Sequence, residues 1–156
     1  MGTAAAGSPW ARLAGVVVFA VAFALVEATV VVYLPEVFGP EQAVRSTAAH
    51  VHSPRAYLYR EQARELATMV MLLSVGFVAG RTCWRRFAFW LLAFGVWDIF
   101  YYVLLWAYPR WPSSLSDRDL LFLIPQEWRD PVWMPVLVSC VFIAVAVVVL
   151  EYTRRA

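Results

Sequence analysis

The run from Phe87 to Ala107 is apolar for long enough to cross a membrane, and it carries an aspartate, Asp98, near its middle. About 20 residues at 1.5 Å each span the hydrocarbon core of a bilayer as a helix. An ionised side chain at that depth opposes insertion by about 2.5–3.5 kcal/mol. Such a residue faces protein or water and has a partner, so the rest of the chain is read for that partner.

Composition places the chain in the same class. It is 62% apolar, against about 45–50% for soluble domains. Its cationic side chains are all arginine, and the net charge of +2 is small and scattered, which argues against nucleic acid as a partner. Eight tryptophans and seven tyrosines fit rings that collect at membrane interfaces. Trp106, Trp111, Trp128 and Trp133 are expected on one side, and Trp10, Trp84 and Trp90 on the other. Cys83 and Cys140 are isolated and read as free thiols.

These features predict an all-α, polytopic membrane protein: a four-transmembrane-helix bundle over residues 11–151, after a flexible N-terminus (1–10) and before a C-terminal tail (152–156). Spans are expected at about 11–34, 57–80, 87–107 and 131–150. The first could be a signal peptide, since Arg12 precedes it. Its length and the lack of a small-residue cleavage pattern before Pro35 favour a retained helix. Gly2 lacks the Ser or Thr at position 6 that a myristoylation signal needs. Ala20, Ala24 and Ala28 form a small-residue stripe suited to close helix contact, with Glu27 on the adjacent line.

The loop from Pro35 to Ser53 carries Glu36, Glu41, Arg45, His50 and His52. His50 and His52 could hold a metal with either glutamate, although solvated side chains are the commoner outcome for such a pair. Ser53-Pro54 has the form of a helix start. The second helix begins polar, so the membrane must enclose Arg64 and Glu65. It ends with a GxxxG pair, Gly76 and Gly80. In the third loop, Ser116 as cap with Asp117 and Asp119 in the first turn predicts the start of a short interfacial helix, which runs through the apolar Leu120–Ile124 and is stopped by Pro125.

Arg12, Arg81, Arg85, Arg86, Arg154 and Arg155 fall on one side, in short segments next to helix ends. Arg45, Arg55, Arg60, Arg110, Arg118 and Arg129 fall on the other, in longer loops among acids. The positive-inside bias then puts both termini in the cytoplasm.

Glu27, Glu65 and Asp98 fall at comparable depth in the outer half of the bilayer, with Arg64 as the one cation at that level. Tyr101 and Tyr102 stand three and four residues beyond Asp98, the spacing that aligns side chains on a helix. Arg60 can pair with Glu61 nearer the interface, and Ser139 and Cys140 fall at similar depth in the fourth span. Two negatives are left over in a low-dielectric place, so the cluster holds protons or shares its site with a cation. Glu27, Arg64, Glu65, Asp98, Tyr101 and Tyr102 are therefore the candidate ligand-binding residues, weighed against a purely structural role in fixing helix register. The EXXH, HEXXH, CXXC, glycine-rich phosphate-loop and nucleophile-elbow patterns are absent.

The strings Arg64-Glu65-Leu66-Ala67-Thr68, Trp97-Asp98-Ile99-Phe100-Tyr101-Tyr102 and Leu121-Phe122-Leu123-Ile124-Pro125 resemble those of small bacterial four-span integral membrane proteins of unassigned function. The resemblance covers most of residues 25–140 and implies a shared site there, with no activity attached. It also implies a bacterial inner membrane as the location. A single glutamate in the first of four spans is also similar to that of small multidrug exporters, where it exchanges protons for cationic drugs. This chain departs from them in its long first loop, its Arg64-Glu65 pair and Asp98.

Three functions fit the sequence. One is binding or transport of a cation, a proton, or a cationic or lipid small molecule. A second is a membrane enzyme using Asp98 or Glu27 as acid and Glu65 as base on a lipid-soluble substrate, with Arg64 holding an anionic group. A third is an accessory or assembly subunit, docking on a membrane-protein partner or on a second copy through its small-residue stripes. The first needs fewest additions. No cofactor is indicated.

Overall fold

The computed structural model describes residues 9–38 and 54–155. Gly2, Glu41, the candidate metal ligands His50 and His52, and the Ser53 cap lie outside these residues, as do the side chains of Glu36, Arg60 and Glu61. Four helices, α1 (Pro9–Phe38), α2 (Pro54–Ala79), α3 (Cys83–Ala107) and α4 (Trp133–Arg155), follow in chain order. All four are long and apolar enough to cross a membrane. Each extends beyond the expected span at one end or both. α1 passes through Pro35 by about a turn, Arg85 and Arg86 lie in the first turn of α3 rather than in a loop, and α4 takes up most of the expected tail.

α3 is the centre of the bundle. It packs against α1, α2 and α4, whereas α1 and α2 touch each other little. Small residues allow this. Ala20, Ala24 and Ala28 are fully buried on α1. A Cβ on Gly76 would stand 2.7 Å from the backbone nitrogen of Trp90, and one on Gly80 would overlap the backbone of Arg86. The GxxxG pair thus serves the tight α2–α3 connection inside the chain. Thr82 caps α3, its hydroxyl accepting from the Arg85 N–H at 3.4 Å. The Arg86 guanidinium lies 3.8 Å from the Phe77 ring centre. At the same end Arg154 stands over Trp10 at 5.7 Å, which brings the starts of α1 and the end of α4 together.

The third loop corrects the sequence expectation. Instead of an interfacial helix, residues Arg118–Phe122 (β1) and Trp128–Pro131 (β2) form an antiparallel hairpin. Asp119 pairs with Asp130 and Leu120 with Arg129, and the register slips by one before Phe122 meets Trp128. The reason is local. The Asp117 carboxylate is taken by the preceding turn, accepting from Ser113 N–H at 2.7 Å, Ser113 Oγ at 2.8 Å and Ser114 N–H at 3.2 Å. It is not available to support the first turn of a helix capped by Ser116. Five apolar residues ahead of a proline are also too few to repay helix nucleation. The Phe122 and Trp128 rings, stacked at 6.4 Å, fix the pairing near the tip.

Candidate functional site

A cavity of about 360 Å³ opens between α1, α2, α3 and the hairpin, with Pro135 of α4 at its edge. All six ligand-binding candidates line it: Glu27, Arg64, Glu65, Asp98, Tyr101 and Tyr102.

Helix geometry explains how they converge. Arg64 and Thr68 are one turn apart on α2 and face α1 together. Arg64 forms an ion pair with Glu27, and Thr68 donates its hydroxyl to the other Glu27 oxygen at 3.0 Å. Glu27 and Thr68 are both buried. On α3, Asp98 and Tyr102 form one i,i+4 column, and Trp97 and Tyr101 form the next. Asp98 accepts from the Ser139 hydroxyl of α4 at 2.8 Å, and Ser139 is fully buried. This α4 contact is possible because Gly95 lets the helices meet: a Cβ there would stand 2.7 Å from the Ser139 carbonyl oxygen.

Glu65 has a different partner from the one its neighbours imply. Its carboxylate accepts from the backbone N–H groups of Leu123 at 2.8 Å and Ile124 at 3.3 Å, and Gln62 donates to the Leu123 carbonyl at 3.4 Å. It anchors the hairpin tip to α2. Tyr102 donates to Asp119 on β1 at 2.9 Å and anchors the base. An isolated two-stranded hairpin is marginal in water, so these two attachments hold the hairpin over the cavity.

Asp119, Glu127 and Arg129 complete the polar lining, and sequence reading did not place them there. Asp119 looked like a first-turn acid of a helix. In the structure it is a strand residue, three positions before the Phe122 that pairs with Trp128. Arg129 pairs with Glu127. Burial pushes the Asp119 carboxyl above its ordinary value, against the pull of the Tyr102 and Leu120 hydrogen bonds and the Arg129 charge.

Five carboxyl groups and two guanidinium groups therefore share one cavity. Glu27 and Glu127 are paired with the two arginines. Glu65, Asp98 and Asp119 are bonded to neutral donors. Among the described residues, no three His, Cys, Asp or Glu side chains are grouped to hold a metal ion. Trp97 packs between Phe23 and Tyr101, with ring centres 6.3 and 6.2 Å away. Its buried indole N–H has no hydrogen-bond partner among the described residues. Cys83 and Cys140 are free thiols away from the cavity.

Four membrane-length helices, three of them opening with the hairpin onto an acid-rich cavity, are the architecture of a multi-pass membrane protein. Comparison with protein-family models, curated proteins and solved structures gave no match.

Proposed function

We propose that this chain is an integral membrane protein of a bacterial inner membrane, with both termini cytoplasmic, whose acidic cavity binds or transports a cation, a proton, or a cationic or lipid small molecule. The observation that carries this reading is the excess of carboxyl over guanidinium groups lining one cavity, with Asp98 bonded, among the described residues, to the neutral Ser139 hydroxyl. Buried negative charge in a low-dielectric setting favours a bound cation or proton. The dense arginines near Trp10, Thr82 and Arg154 support the orientation. The three distinctive strings supply the cavity residues Arg64, Glu65, Thr68, Trp97, Asp98, Tyr101, Tyr102 and Leu121–Leu123, which fits a site shared with the small four-span proteins they resemble.

Infrared difference spectra of the protein in bilayers test the reading. Na⁺, Ca²⁺ or tetramethylammonium is added at fixed pH, and the pH is then varied from about 5 to 9 without them. Carboxyl bands that respond, and whose response is lost in Asp98→Asn or Glu27→Gln, are the expected result. Bands indifferent to every cation and to pH overturn it.

A further inference from the structure

The cavity holds more information about its ligand than its charge. A metal ion needs several oxygen ligands converging within about 2–2.6 Å of one point. Here the acids sit on α1, α2, α3 and β1, each already bonded to its own donor. No three of them are grouped for chelation among the described residues. The negative field is spread around a space of about 360 Å³, far larger than a bare ion fills.

Aromatic rings supply much of the remaining wall. Tyr101 and Tyr102 meet edge to face, ring centres 5.4 Å apart and planes at 74°. They form a corner one turn from Asp98, and both line the cavity with Trp97. Aromatic rings and a carboxylate one helical turn apart on a shared lining match the recognition of an alkylated ammonium. Such a cation is too diffuse to be chelated and is stabilised by ring quadrupoles and by the field of nearby acids. The arginines do not oppose it, since Arg64 and Arg129 are paired with Glu27 and Glu127.

We propose that the cavity takes an organic ammonium group, seated between the Tyr101–Tyr102 corner and Asp98, in preference to a metal ion. This rests on the cation reading above and narrows it. The ammonium could belong to a water-soluble amine or to a lipid headgroup, and the chemistry of recognition is the same.

Calorimetric titration of the full chain in phosphatidylglycerol nanodiscs tests the proposal, with tetramethylammonium, choline, Na⁺ and Ca²⁺ as separate probes. Tetramethylammonium and choline are expected to bind more tightly than either metal ion. Tyr101→Leu is expected to weaken ammonium binding about 3- to 30-fold, and Tyr101→Phe, which keeps the ring, to restore it. Native mass spectrometry from phosphatidylcholine nanodiscs separates the sources. A retained phosphatidylcholine that choline does not displace assigns the site to a lipid headgroup, and displacement by choline assigns it to a free amine. Metal ions binding as tightly as ammonium, or Tyr101→Leu binding ammonium unchanged, overturn the proposal and leave the cation reading standing. If no probe binds and no lipid is retained, while the infrared bands also stay silent, both fall.

Discussion

Tyr102 donates its hydroxyl to Asp119 across 2.9 Å, joining the central helix to the first strand of the hairpin. Removing that donor leaves a half-buried carboxylate one partner short. Tyr102→Phe is expected to destabilise the protein by about 1–3 kcal/mol and to raise the Asp119 pKa further, because the lost bond was one of the influences lowering it. Denaturant unfolding in detergent measures the first effect, and carboxyl carbon shifts of labelled aspartate measure the second.

Asp117 and Asp119 are two residues apart and titrate on opposite sides of the ordinary aspartate value of 3.8. Asp117 is held low chiefly by the Ser113 hydroxyl and the Ser113 and Ser114 amides. Its contribution to stability is present above 3.8 and is lost as pH falls through its lowered folded value. Asp119 is held high by burial. Its protonated form favours the fold, so that contribution is complete below 3.8 and is lost as pH rises through its raised folded value. A titration resolving the two carboxyls should give midpoints displaced in opposite directions. Equal midpoints would contradict the geometry of the loop.

The hairpin tip depends on Glu65. Glu65→Ala removes the acceptor for Leu123 and Ile124 N–H. A loss of about 1–2 kcal/mol of local stability corresponds to amide exchange about 5- to 30-fold faster at those two residues. Strand pairs at the base, such as Arg118 with Pro131, should be little affected. Hydrogen exchange read by NMR checks both halves of this expectation.

The helices were legible because hydrophobic length is a strong signal, and the convergence of Glu27, Glu65 and Asp98 followed from depth alone. Their partners were not. Depth along a helix axis does not give the rotation that turns Arg64 toward Glu27 while its neighbour Glu65 turns to the hairpin. Nor does it give the Ser139 hydroxyl on Asp98, which depends on the glycine at position 95. The hairpin was misread because Ser116-Asp117 has the local chemistry of a helix cap. The competing use of Asp117 by residues upstream decides the outcome, and that is visible only in three dimensions.

Gly95→Ala tests the α3–α4 contact. The new methyl would stand 2.7 Å from the Ser139 carbonyl oxygen and 2.8 Å from Ile143 Cγ1. The helices must separate, with a destabilisation of about 1–3 kcal/mol. Ser139→Ala, which removes the donor to Asp98 without moving the backbone, should fall in a similar range. Only the glycine variant should also loosen Ile143. Unfolding midpoints combined with methyl NMR of Ile143 separate the two.

With α3 as the shared surface and little direct contact between α1 and α2, the order of synthesis takes on meaning. The first two spans reach the bilayer with no consolidated neighbour, each carrying polar groups whose partners lie on the other span or further along the chain. Tertiary assembly must wait on the ribosome delivering the third span. The growing chain therefore passes through an interval in which Glu27, Arg64 and Glu65 are already membrane-borne, and the Arg64–Glu27 pair is the earliest contact open to them.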